Sequence, residues 1–396
     1  MGRSLRSEVE ESHLLSGDYL AELTSRFVAT PSVNGQHPER HLADVVRVEL
    51  DTYGFSTELV GESETRPSLG AFFGDRDSEG TVLLNGHLDT VPVDDAELWE
   101  FDPFAGVIAN GAVHGRGACD MKGGLAVQVA VAQWLARSAI GAEGLVLHFA
   151  MGEERGEPGT EDLIRAGFLA PFGVVLEPTD FKLGIAQRGL VTLQISLGGR
   201  AAHTSMADLG DNPVSKLPSV LAVLERLNAE AGRRHALLGG PVWTPTVVRA
   251  GSIPSMVPSR CDLLVDRRMI PGESVEFVVD ETEAALRLEL PTAELSVSVS
   301  LEEGTFEPAQ VGEDRPIVGY MREALGFFGE PVVLFGTPYS SDVRHLVNSA
   351  GIDAVTWGPG RLAELHSRDE SVAVGDLERA ARILAAFCVM AAEQAL

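Results

Sequence analysis

Apolar and polar positions recur along this chain with two different periods, and the change of period divides it. Over residues 18–29, DYLAELTSRFVA, Leu20, Leu23, Phe27 and Val28 fall on one face of a helix, and Pro31 stops it. Residues 41–53 repeat the helical spacing. Short apolar runs then alternate with helical stretches: TVLLNG, MKGGLAVQVAVAQWLA, LVLHFAM, DLIRAGFL and GVVLEP. That alternation predicts an α/β fold, a mostly parallel sheet with helices on both faces. Within GVIANGAVHG, Asn110–Gly111 between apolar residues predicts a hairpin.

From about residue 187 the rhythm changes. LVTLQISLGG alternates like a half-exposed strand, NPVSKLPSVLAVLERLNA reads as one long helix, and SRCDLLVDRRMI is again strand-like. A second helix, SVEFVVDETEAALRLEL, and an alternating run, AELSVSVSLEEG, follow. This order predicts a small α+β domain with an antiparallel sheet. After about residue 300 the strand–helix pattern returns in PVVLFG, SDVRHLVNSA, AVTWG and the closing helix VGDLERAARILAAFCVMAA. The expected organisation is an α/β domain in two parts, 1–186 and 300–396, interrupted by an inserted α+β domain, 187–299.

Composition narrows the partners. The 396 residues are 44% hydrophobic and 22% charged, ordinary for a globular chain long enough for two cores. With 31 basic against 58 acidic residues, the formal charge of −27 repels phosphate backbones and anionic membranes. Neither nucleic acid nor membrane is an expected partner. Three scattered cysteines, Cys119, Cys261 and Cys388, make no disulfide framework, which fits a reducing compartment. The N-terminal MGRSLRSEVEESHLL lacks the apolar core of a signal peptide, and no apolar stretch reaches the roughly 18 residues that span a bilayer. A cytoplasmic location is expected.

The candidate chemistry lies at strand ends. His87 and Asp89 follow TVLLNG, Asp120 precedes the helix expected from Met121, and Glu153 and Glu154 follow LVLHFAM. Glu177 ends GVVL, and His366 comes shortly after AVTWG. Ligands of open parallel sheets bind beyond the carboxyl ends of strands, where these residues would converge. Each has an ordinary role open to it alone: Asp120 as a helix N-cap, His87 as a hydrogen-bonded structural histidine, the paired glutamates as a solvated loop. GRGACD is a poor phosphate loop, because its acidic residue would repel phosphate. Together, two imidazoles and four or five carboxylates lack a matching number of lysines or arginines. Two divalent cations sharing one carboxylate would neutralise them, and imidazole with carboxylate suits zinc, or cobalt, better than calcium or magnesium.

GHLDTVP, GRGACDMKGG, GEERGEPGT, EPTD and ELHSRDE, in that order, resemble the acetylornithine deacetylase and succinyl-diaminopimelate desuccinylase family of dinuclear zinc hydrolases, which also contains glutamate carboxypeptidases. The resemblance implies that Asp120 bridges two metal ions, with His87 and Glu177 completing one site and Glu154 and His366 the other. It implies Glu153 as general base and Asp89 as the residue that orients His87. GRAAHTS is similar to the family's lid segment, so His203 would reach across a homodimer, formed through the inserted domain, to the partner's site. VPSRCDLLVDRRMIPG is similar to the strand carrying a carboxylate-binding arginine, here Arg268. Ser255 stands where the family usually has asparagine, a departure that touches substrate contacts. The implied activity is hydrolysis of the amide bond of an N-acyl amino acid or related N-acyl amine. The alternatives are a carboxypeptidase or dipeptidase of the same fold and, in another class, a catalytically silent metal-binding protein.

Overall fold

Val82–His87 and Gly144–Ala150 are buried at every residue, as strands are when both sheet faces are covered. They pair in parallel, and Phe172–Val175 and Asp353–Thr356 extend the parallel set on the Val82–His87 side. On the other side Ser68–Gly74 and Ser56–Val60 add antiparallel, since the short connection between them allows only a hairpin. The computed structural model describes residues 2–75, 78–138, 144–301 and 304–394. They form two units, and this sheet belongs to the first: Met1–Ile185, Gln310–Phe335 and Ser341–Leu396. The mostly parallel α/β reading holds, with antiparallel flanking strands.

Gly123–Arg137 is apolar all round, and it is buried from Gly123 to Leu135 against Gly17–Val28 and Val374–Gln394. Gln128, one of its two buried glutamines, donates to the carbonyls of Leu84 and His148, both at 3.0 Å, tying the helix to two central strands. Gly124 lets that helix approach the sheet: a Cβ there would lie 2.4 Å from the Leu176 carbonyl oxygen. The hairpin forms as expected from Val107–Ala109 and Ala112–His114. Asn110 (φ 52°) and Gly111 (φ 76°) are the pair of positive-φ residues that a tight hairpin turn requires.

The second unit comprises Ala186–Ala309 and Gly336–Ser340, and the elements expected over 187–299 lie within it. Its antiparallel sheet runs in the order Val242–Ala250, Arg260–Met269, Gly189–Gly198, Leu295–Val299. Val191, Leu193, Ile195 and Leu197 alternate inward and meet Val220, Val223 and Leu224 of the helix Leu217–Glu230. The helix expected over 212–229 is split: Pro213–Lys216 forms a 3-10 turn and the α-helix begins at Leu217. Pro218 accounts for the break, because proline lacks the N–H that any position beyond the first helical turn must donate. Val242–Ala250 carries no alternating signal because among its residues only Trp243 is buried. The run AELSVSVSLEEG forms a strand over Leu295–Val299, and its residues 302–303 lie outside the described residues.

Candidate metal centre

Three strand ends and two loops of the first unit deliver the site. His87 is the last residue of Val82–His87, and Glu177 lies two residues beyond Phe172–Val175. Glu153 and Glu154 sit in a single 3-10 turn, Glu153–Arg155, after Gly144–Ala150. That turn opens at Gly152 (φ 70°), where a Cβ would fall 2.6 Å from that of Glu157, so glycine is required there twice over. Asp120 lies in a kinked segment, Ala118–Lys122, with a cis peptide bond to Met121. The helix that follows begins at Gly123 with Lys122 as its cap residue, so Asp120 is not an N-cap and its carboxylate stays available.

His87 Nε2 lies 3.2 Å from Asp120 Oδ1 and 3.5 Å from Glu177 Oε1. His366 Nε2 lies 3.3 Å from Asp120 Oδ2 and 3.1 Å from Glu154 Oε2. Asp120 therefore turns one oxygen to each histidine. Within each triad, His87–Asp120–Glu177 and Asp120–Glu154–His366, the candidate donor atoms lie within 4.8 Å of one another. Glu153 belongs to neither triad. Its Oε1 is buried without a hydrogen-bond partner, and the Arg344 guanidinium is 3.6 Å away. Beside His366 a cavity of about 520 Å³ opens, lined among others by Trp99, Arg116 and Arg368.

The charge balance tests whether these residues suit cations. Burial alone would push the His87 imidazole down, but Glu177, Asp120 and Asp89 outweigh it and hold its pKa well above the ordinary value. Hydrogen bonds that His366 donates to the Asp120 and Glu154 carboxylates raise its pKa to about 10. Burial raises Glu177 and Glu153 well above the usual carboxylate range, and Glu154 more modestly, with the neighbouring acids adding to it. Burial and mutual repulsion thus drive these glutamates to hold protons, and the acids drive both imidazoles to do so. Among these ligands only Asp120, facing both imidazoles, is held below the usual carboxylate range. Divalent cations bound to N and O donors would supply positive charge in place of those protons, so the donor set fits two metal ions.

Several residues that position this site gave no signal as chemistry. Glu370 lies within the ELHSRDE segment and reads there as another surface acid, yet it is fully buried. Its Oε1 accepts the N–H groups of Cys119 (2.8 Å) and Asp120 (2.9 Å), while Oε2 accepts from Gly117 N and Arg116 Nη1. It thereby shapes the loop that presents Asp120. His366 itself sits at φ 56°, a left-handed conformation that few side-chain-bearing residues adopt. Asp89 is buried, but His87 Nδ1 lies nearer its main-chain carbonyl (2.9 Å) than its carboxylate (3.5 Å).

His203, Ser255 and Arg268 belong to the second unit. His203 is exposed and pairs with Met256 in a two-residue strand, and the Ser255 carbonyl accepts the N–H of Thr204 at 3.1 Å. Arg268 directs Nε and Nη2 to Asp266, at 2.9 and 3.0 Å, whereas the neighbouring Arg267 is wholly buried against Glu273.

Comparison with known proteins agrees with this geometry. Residues 83–389 match the model of peptidase family M20/M25/M40. The succinyl-diaminopimelate desuccinylase of Cereibacter sphaeroides is 30% identical over 373 residues, covering 90% of this chain and 94% of that protein. The N-formyl-4-amino-5-aminomethyl-2-methylpyrimidine deformylase of Halalkalibacterium halodurans is 25% identical over 401 residues, covering 93% of each. Among solved structures, the Bacillus subtilis YXEP protein, described as a dinuclear metal binding peptidase from the M20 family, superposes with a TM-score of 0.72 at 15% identity. That match covers 95% of this chain and 98% of that one.

Proposed function

This chain belongs to peptidase family M20/M25/M40, and from that premise we propose that it hydrolyses the amide bond of an N-acyl amino acid or a related N-acyl amine. Asp120, with His87 and Glu177 on one side and Glu154 and His366 on the other, would hold two divalent ions. The observation that carries the reading is the division of Asp120, with Oδ1 3.2 Å from one imidazole and Oδ2 3.3 Å from the other. Bound divalent ions supply Lewis acidity, polarising the scissile carbonyl and making water a better acid. Zinc, or cobalt, is the ion the imidazole–carboxylate set favours.

Glu153 is the proton carrier. Its unpartnered Oε1 takes the proton of the attacking water as the new C–O bond forms, and returns it to the amine nitrogen as the C–N bond breaks. The Arg344 guanidinium lies 3.6 Å from that same oxygen, beyond hydrogen-bond range, and steadies the carboxylate by its charge. Asp89 orients the His87 segment. The cavity beside His366 has room for a small substrate. The inserted domain is assigned the lid and dimerisation roles, with Arg268 and Ser255 contacting substrate and His203 serving the partner's site. Three buried free cysteines accord with a cytoplasmic enzyme, and no helix among the described residues is long and apolar enough to cross a membrane.

The test is metal analysis joined to a substrate panel. The metal-loaded protein should carry two divalent ions per chain and cleave at least one acetyl, succinyl or formyl amino acid faster than any dipeptide. Two bound ions with dipeptides as the better substrates would make it a peptidase. Two bound ions without turnover of any amide would leave the silent metal-binding reading standing.

A further inference from the structure

Asp89 does more than face His87. Its Oδ1 accepts the main-chain N–H of Glu153 at 3.0 Å, and its Oδ2 accepts that of Glu154 at 3.1 Å. One buried carboxylate thus fixes the turn from which both glutamates project. The carboxylate is itself held by Asn34, whose Nδ2 donates to Asp89 Oδ2 at 2.8 Å.

Asn34 is buried, and its main chain is anchored to the same segment, with its N–H donating to the Thr90 carbonyl at 2.9 Å. Its Oδ1 accepts from Arg66 Nη2 at 3.0 Å. Arg66 in turn grips the fully buried Glu39 through Nε and Nη2, at 2.9 and 2.7 Å, and reaches Glu157 at 2.7 Å through Nη1. The chemistry leaves the Asn34 amide one orientation. A guanidinium offers only donors and a carboxylate only acceptors, so a flipped amide would lose both bonds.

Resting on the reading of the site given above, we propose that Asn34, clamped by Arg66, is a positioning residue for the metal centre. It fixes the Asp89 carboxylate and, through it, the Glu153–Glu154 turn. Without the Asn34 donor a buried carboxylate oxygen loses a partner and the turn loses its fixed acceptor. The ion held by Asp120, Glu154 and His366 should feel this first. Outer partners of metal ligands typically contribute about 10–100-fold to affinity or activity.

Asn34→Asp is the decisive variant: it keeps the shape and the acceptor facing Arg66, but replaces the donor to Asp89 with an acceptor. The metal-free folded protein is titrated with Zn²⁺, then kcat and KM are measured and thermal unfolding is followed without metal. We expect the weaker of the two Zn²⁺ dissociation constants to rise about 10–100-fold and kcat to fall, with KM little changed. Asn34→Ala and Arg66→Lys should move the same quantities in the same direction, Arg66→Lys least, and they carry the comparison should Asn34→Asp not fold. A merely structural asparagine would lower the unfolding temperature and leave Zn²⁺ affinity and kcat of the folded protein untouched, which would overturn the proposal. A wild-type protein that takes up no pair of ions overturns the reading of the site, and the clamp with it.

Discussion

Glu153 and Glu154 share a side chain and adjoining places in the chain, and what separates them is what each carboxylate faces. Glu154 meets His366 Nε2 at 3.1 Å, whereas Glu153 Oε1 meets no hydrogen-bond donor. Glu153→Gln should therefore keep both ions and lose roughly 10²–10⁴-fold in kcat, the usual cost of removing a general base. Glu154→Gln should lose metal instead. Metal content measured beside kcat separates the two, and the reverse pattern would sink this division of labour. At Arg268 the fork already lies on Asp266, so a substrate carboxylate must compete with that partner. Arg268→Ala should still raise KM by tenfold or more for carboxylate-bearing substrates, the cost of about 1.4 kcal/mol of lost charge-assisted binding. Their amide or ester analogues should change much less, and equal losses on both would mark Arg268 as structural.

Elements buried on both faces were legible in the sequence because a short, unbroken apolar run is stable in water only when neighbours cover both of its sides. TVLLNG and LVLHFAM became the two central strands within a residue of their expected bounds. Elements whose residues stay exposed were not legible, as Val242–Ala250 shows. At the site, the convergence of His87, Asp120, Glu154, Glu177 and His366 was legible from their places after the strands, whereas their roles as ligands rest on the family resemblance and their supports left no signal. Glu370, Asn34 and Arg66 act by hydrogen bonds between segments far apart in the chain, which leave no periodic trace. His148, within the strand Gly144–Ala150, shows what such burial does to chemistry. It donates Nε2–H to the Phe168 carbonyl at 2.8 Å, and burial holds its pKa down to about 4. Between its ordinary value near 6.5 and 4, the unfolded chain binds a proton that the native strand refuses. Stability is therefore fully present above about pH 6.5 and falls as pH drops through that window, by on the order of 3 kcal/mol. His148→Gln, which can still donate to Phe168, should flatten the dependence of unfolding free energy on pH between 6.5 and 4 by about one proton. An unchanged slope would mean that His148 takes up its proton in the folded state.

At the scale of the whole molecule, a charge of −27 favours dispersed chains, so self-association needs a specific surface. The second unit offers one in Val242–Ala250, an edge strand of its sheet with Val247 and Val248 exposed. Pairing of this edge with its own copy about a two-fold axis would give the isologous dimer proposed above. The family resemblance of GRAAHTS adds that His203 would then serve the partner's site, where an imidazole can stabilise the oxyanion formed as water adds to the carbonyl. Two inactive variants should in that case repair each other. In a mixed dimer the His203→Ala protomer keeps its own Glu153 and borrows the imidazole of the Glu153→Gln protomer, so one of the two sites is complete. Random assembly makes about half of all dimers mixed, so about a quarter of all sites should recover. Co-expressing the two variants and comparing activity per metal-loaded site with either alone reads this directly. Mixed dimers proven by mass that stay inactive would place His203 in its own subunit's chemistry or in none, and Val248→Lys, by charging the edge, should abolish both the dimer and the rescue.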